Sequence, residues 1–168
     1  MAPLIAYFVG ASGIGKTAIL STLTQSKSID TGPTVAVEMR SWSFKVDGRI
    51  KHFRLWDASG NNVFSHMLLQ DVQRADIVVI CFDTRRIENL VTLKHWMTIT
   101  EQAAKKTSVI FYGIIHDGEE REIMPADIYT IADHAQKRRN LKDVIVAEGR
   151  ITDRQPIYNA IFLASRHI

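Results

Sequence analysis

Cysteine is nearly absent from the 168 residues: Cys81 is the only one and lies in an apolar run, so an internal disulfide is excluded and a reducing, intracellular setting is expected. No apolar stretch approaches the roughly 20 residues of a membrane-spanning helix. The start, Met1-Ala2-Pro3-Leu4, lacks the basic region that precedes the apolar run of a secretory leader. The last residues, Ser165-Arg166-His167-Ile168, lack a cysteine for prenylation, so membrane contact is expected only through a tail not present in this chain. Charge of one sign is scarce as well, with 21 Lys and Arg against 18 Asp and Glu and a net charge of +3. No stretch interleaves basic and aromatic residues in the way expected of a nucleic-acid surface, which argues against a nucleic-acid partner. The basic run Lys137-Arg138-Arg139 with Lys142 reads as a solvated helix end. The six histidines, His52, His66, His95, His116, His134 and His167, show no metal-ligand spacing, and no serine pairs with a recognisable histidine and acid. Internal repeats and low-complexity segments are missing too, and the length suits one domain over residues 1–168 with a real core.

What the chain does have is Gly10-Ala11-Ser12-Gly13-Ile14-Gly15-Lys16-Thr17, led by the apolar run Leu4 to Val9 and followed by a helical pattern. Strand, glycine loop and helix in that order form a P-loop. Its backbone N–H groups, from Ser12, Gly13, Ile14, Gly15, Lys16, Thr17 and Ala18, can wrap a phosphate, and the helix N-terminus adds a favourable dipole. Lys16 brings a full positive charge to the outer phosphates, and Thr17 a hydroxyl for Mg²⁺. A second acid is needed to hold the ion against water. Asp57 ends the apolar strand Phe53 to Trp56, on the sheet edge where ligands of open α/β folds collect, and is placed for that task.

Hydrophobic periodicity lays out the rest. A helix is expected from Lys16 to about Gln25, then a polar link over Ser26 to Pro33. Val35 to Val46 and Ile50 to Trp56 read as an antiparallel pair joined by the tight turn Asp47-Gly48. A short helical pattern lies between Asp57 and Leu69, followed by the buried strand Ile77 to Phe82. A long amphipathic helix runs from Ile87 to Ala104, with Trp96 and Met97 as packing residues. Ser108 to Ile115 is a strand, His116 to Glu122 a charged loop, and Pro125 opens a helix. A short strand over Asp143 to Val146 and a helix from about Pro156 complete the chain. The fold class is therefore α/β, with a mostly parallel six-stranded sheet, one antiparallel hairpin strand and helices on both faces.

Trp56-Asp57-Ala58-Ser59-Gly60-Asn61 resembles the WDTAGQ stretch of Ras-superfamily small GTPases, at the expected distance from the glycine loop. The Rab branch is the most similar, through Ser12 in the loop and Thr34-Val35-Ala36-Val37-Glu38-Met39 after switch I. The likeness runs from Leu4 to the final helix. It implies that Thr34 closes over the γ-phosphate and joins Thr17 and Asp57 on Mg²⁺, while Gly60 gives a backbone N–H to the same phosphate. Thr34 and Gly60 are thus the implied sensors of GTP against GDP, and their segments the implied effector surface. An exchange factor and a GTPase-activating protein are implied partners, for a chain expected to be monomeric alone.

The chain departs from the family pattern at two places. Asn61 stands where the family has the glutamine that orients the attacking water, and its stem is one methylene shorter. Positioning is sensitive to displacements of about 1 Å, so slow hydrolysis is expected, with Lys16, Thr34, Gly60 and Asn61 as the catalytic set. Where the family reads guanine with Asn-Lys-x-Asp, this chain has Ile114-Ile115-His116-Asp117. Asp117 retains the acceptor for guanine N1–H and N2–H, and Ile115 can cover the ring face. The Ser-Ala-Lys stretch corresponds weakly to Arg150-Ile151-Thr152, where the Ile151 N–H can still reach guanine O6. No aromatic lies between Leu23 and Trp42 to stack on the base.

Three functions remain open. A Rab-like GTP-binding switch in intracellular or vesicle trafficking, cytoplasmic or peripheral to intracellular membranes, comes first, with GTP, GDP and Mg²⁺ as ligands and ATP admitted by the altered base motif. A pseudo-GTPase comes second: the fold as an interaction module, such as a transport-complex subunit. A small-molecule kinase is a distant third, because no arginine-rich lid follows a central helix.

Overall fold

A computed structural model describes residues 2–25, 38–58 and 70–168. The chain begins with strand β1 (Leu4–Val9) and helix α1 (Lys16–Thr24), followed by the hairpin β2 (Glu38–Val46) and β3 (Arg49–Asp57). Then come β4 (Ile77–Asp83), α2 (Asn89–Ala103), β5 (Thr107–Ile114), α3 (Pro125–Gln136), β6 (Leu141–Gly149) and α4 (Arg154–Ser165). The strands form one sheet in the order β2-β3-β1-β4-β5-β6. Among the described residues only the β2–β3 pair is antiparallel. Its turn is Asp47-Gly48, both residues at positive φ as a two-residue hairpin loop demands.

Burial follows the sheet order. β4 and β5, with neighbours on both sides, are buried at every residue, which explains their unbroken apolar runs. One face is covered by α1 and α4, where Leu20, Leu23, Ile157 and Ile161 meet Phe8, Leu55, Val79 and Tyr112. On the opposite face α2 and α3 bring Leu93, Trp96, Met97 and Ile128 against Tyr7, Val78, Ile80 and Phe111. Trp96 and Met97 are core residues, as their spacing suggests. Towards the hairpin, Trp42, Phe44 and Phe53 gather with Tyr158 of α4, ring centroids 4.4–6.0 Å apart.

Element boundaries differ from the periodicity reading most at β6, α4 and α2, and by about one residue at the ends of several others. β6 spans nine residues rather than four, because its backbone continues to pair with β5 where its side chains turn polar and half-buried. α4 starts at Arg154, two residues before Pro156, since a proline in the first helical turn gives up no intrahelical hydrogen bond. α2 starts at Asn89 rather than Ile87, after tight turns in which the Asn89 and Leu90 amides reach Arg86 and Ile87. The helical pattern between Asp57 and Leu69 lies mostly outside the described residues.

β1 is flanked by β3 on one side and β4 on the other, so the chain reverses its direction of winding there. The crevice beyond the carboxyl ends of such strands is where open α/β sheets bind ligands. Gly10 closes β1 at φ 142°, and a Cβ placed on it would lie 2.3 Å from the Cys81 carbonyl oxygen. Backbone strain and overlap add here, so Gly10→Ala is expected to destabilise the protein by at least about 2 kcal/mol in urea unfolding.

Candidate functional site

The glycine loop turns over the end of β1 and delivers Lys16 and Thr17 into the first turn of α1, where the Ile19 amide donates to the Gly15 carbonyl at 2.9 Å. Lys16 is buried, and its Nζ donates to the Gly10 carbonyl at 3.1 Å and the Ala11 carbonyl at 2.7 Å. The loop thus holds its own cation in readiness. Ser12 and Gly13 are exposed at the tip, and Ile14, Gly15 and Ala18 are half-buried.

Asp57 is brought beside this loop by the parallel pairing of β3 with β1, which sets it opposite Phe8. Thr17 Oγ1 donates a short hydrogen bond to Asp57 Oδ2. The other oxygen, Oδ1, is buried and has no hydrogen-bond partner among the described residues. A buried, unpartnered carboxylate oxygen is costly unless something else binds it. With the Thr17 hydroxyl it forms a hard oxygen donor set that suits Mg²⁺ rather than a softer ion. Burial pushes the Asp57 carboxyl above its ordinary value and the Lys16 ammonium below its own. Cys81, under the same loop, has its thiol pushed up to about 12 by burial and is inert.

A second group of residues lies across the ends of β5 and β6. The Ile115 amide donates to the Gly149 carbonyl at 3.0 Å, joining the two loops that follow these strands. Asp117 Oδ2 accepts from Arg150 Nε at 2.7 Å, and Arg150 Nη1 reaches Asp153 Oδ2 at 3.0 Å. The Arg150 guanidinium holds the Asp117 carboxyl below the usual carboxylate range. Ile151 packs onto the glycine loop: a Cβ on Gly15 would lie 2.6 Å from its Cδ1. The phosphate loop and the two neighbouring loops therefore share one edge.

The structure brings together the glycine loop, Asp57 and Ile151, with the Asp117–Arg150 pair alongside. Thr34, Gly60 and Asn61 lie outside the described residues. Sequence reasoning did not foresee the Arg150 fork, since its partners are 33 and 3 residues away and only the β5–β6 register sets them side by side. Nor did it foresee the cluster at the end of β4. There Arg85 binds Asp83 at 2.6 Å and Glu119 at 2.6 Å, while His116 Nε2 lies 3.6 Å from Asp83.

A buried lysine at a helix start, a hydroxyl and an acid sharing a hydrogen bond, and a glycine loop at the switch point of a mostly parallel sheet define a P-loop α/β protein of the small-GTPase fold. The Ras family profile matches residues 6–142, and the chain belongs to that family. It is 32% identical over 105 residues to human "Ras-related protein Rab-44", covering 61% of this chain and 10% of that protein. It is 28% identical over 119 residues to human "EF-hand calcium-binding domain-containing protein 4B", 69% of this chain and 16% of that one. Human "Rho-related GTP-binding protein RhoE" is 26% identical over 132 residues, 78% of this chain and 52% of the relative. The chain thus spans from a tenth to about half the length of these relatives.

Because burial raises its pKa, the Asp57 carboxylate weakens the fold above that raised value, and the penalty fades as pH falls to the ordinary carboxylate range near 4. Asp57→Asn keeps an acceptor for Thr17 and removes the charge. Without nucleotide its melting midpoint is expected to rise by a few degrees near pH 7, at about 2–4 °C per kcal/mol for a chain of this size, and to lose the dependence on pH across that window. An unchanged midpoint and an unchanged pH profile in calorimetry would count against a buried charge at this position.

Proposed function

We propose that residues 1–168 form a Rab-like GTP-binding switch whose phosphate side is complete and whose base side is weakened. The observation that carries this reading is the contrast at one sheet edge. Lys16, Thr17 and the unpartnered Asp57 oxygen stand ready for a Mg²⁺–triphosphate, while the residues beside the base position are replaced or engaged elsewhere. Ser12 to Ala18 give backbone N–H groups to the phosphates, and Lys16 its charge. Thr17 and Asp57 hold Mg²⁺ together with Thr34; bound there, the ion neutralises phosphate charge and orients the triphosphate. Asp117, Ile115, the Ile151 amide and Arg150 border the base. Gly60 contacts the γ-phosphate, and the Thr34 and Gly60 segments present the bound state to an effector, with an exchange factor and an activating protein resetting it. Intracellular or vesicle trafficking is the setting that the Rab likeness suggests.

Energetics favour micromolar binding. Three or four base contacts absent, at about 0.5–1.5 kcal/mol each, lower affinity by about one to four orders of magnitude at tenfold per 1.4 kcal/mol. Phosphate and Mg²⁺ contacts then dominate, so GTP and ATP are poorly distinguished. Titrating nucleotide-free protein with each triphosphate in Mg²⁺ is expected to give micromolar values for both, and Lys16→Ala to abolish both. Subnanomolar, strictly guanine-specific binding would overturn the proposal.

A second reading, a pseudo-GTPase serving as an interaction module, is favoured by the same Asp117–Arg150 contact, which occupies the base-side acid without any ligand. Single-turnover GTP hydrolysis separates the two. A slow rate that rises about tenfold or more in Asn61→Gln supports the switch, on the sensitivity of water positioning to about 1 Å. No turnover in either protein, even with cell extract, supports the module.

A further inference from the structure

We infer that Arg150 sets the base selectivity of this site by competing with guanine for Asp117, an inference that rests on the nucleotide-binding reading above. The chemistry is one of counted lone pairs. Guanine presents N1–H and an N2 amine side by side, and a carboxylate reads the pair by accepting one bond on each oxygen, whereas adenine offers an acceptor at N1. Each oxygen carries two lone pairs, so a charged donor on one of them weakens the pair of guanine bonds without forbidding it. Arg150 takes Oδ2 through Nε at 2.7 Å.

Arg150 is held in that position from three sides. Its Nη1 is engaged by Asp153 at 3.0 Å, at the residue that precedes α4. The next residue, Ile151, is seated against Gly15 of the phosphate loop. The residue before it, Gly149, accepts the Ile115 amide at 3.0 Å and so ties the Arg150 backbone to the loop that carries Asp117. A guanidinium fixed between two carboxylates keeps its geometry better than one on a single partner, because the side chain's rotamer freedom is lost once for two ion pairs.

The magnitude is moderate because the pair faces solvent: Arg150 is 51% and Asp117 69% exposed. An exposed pair of this kind alters binding by about fivefold at most, the size expected for the competition. Phosphate affinity is common to all nucleoside triphosphates. The contact therefore alters the ratio of GTP to ATP affinity rather than triphosphate binding itself.

A mutant cycle on nucleotide-free protein in Mg²⁺, titrated with GTP and with ATP, tests this. Arg150→Ser lies at an exposed loop position and frees Asp117; it is expected to raise the ratio of GTP to ATP affinity about fivefold. Asp117→Asn is expected to change GTP binding less than about twofold in the wild-type background and to reverse the gain in the Arg150→Ser background. An unchanged GTP-to-ATP ratio in Arg150→Ser, or a tenfold loss of GTP affinity from Asp117→Asn alone, would overturn the role of Arg150 while leaving the triphosphate site in place. If the wild type binds neither GTP nor ATP, the nucleotide-binding reading falls, and the competition falls with it.

Discussion

Two opposite charges buried at the carboxyl ends of β1 and β3 are the constraint on which the rest of this structure depends. A buried ammonium and a buried carboxylate each forfeit hydration, and each persists only where fixed polar groups replace water. Lys16 meets that need with two carbonyls from the turn that precedes it, and Asp57 meets half of it with the Thr17 hydroxyl. Those contacts exist only while β3 lies parallel to β1 with Asp57 opposite Phe8, and while the Gly10 backbone sits close over the Cys81 carbonyl. The hairpin, the sheet order and the glycine loop are therefore all fitted to one small volume.

Among the described residues Asp57 remains half-satisfied, with one buried oxygen unpartnered. A protein selected for stability alone has cheaper choices, such as an amide or an apolar residue at the end of β3. Local rules broken at a buried polar site mark function more often than accident. The group that would relieve the imbalance is a hard cation between Thr17 and Asp57, which is the reason the proposed function makes ion and triphosphate binding one event.

The glycine loop and Asp57, the phosphate half of the site under the proposed function, were legible as a motif because they are carried by contiguous residues. Gly10 to Thr17 is one loop, and Asp57 ends a recognisable strand. The long elements were legible for the same reason, since β4, β5 and α2 bury side chains with unbroken or strictly periodic patterns. Legibility failed where backbone pairing outlasted the side-chain pattern, as in β6, which bonds to β5 on both sides of its apolar Val144-Ile145-Val146 centre. It also failed at Arg150. A charged residue in a loop resembles any solvated charge until the register of Ile114 with Gly149 places it beside Asp117.

The unevenness of the two halves under the proposed function has a physical source. Phosphate contacts use backbone N–H groups of a loop whose glycine geometry the core fixes, and changing Gly10 brings strain and overlap, so the fold itself resists the change there. Base contacts come from side chains on exposed loops, where a substitution costs little in stability. Ile114 is buried and apolar at the end of β5, and Arg150 is half-exposed with two acidic neighbours; both residues stabilise the protein without a ligand. Drift in such loops can thus replace contacts to a base with contacts inside the chain. Under the proposed function, that exchange turns a site selecting its nucleotide by base into one selecting by triphosphate and ion. The glycine loop then carries the affinity, and the loops beside it are left to tune the choice of base.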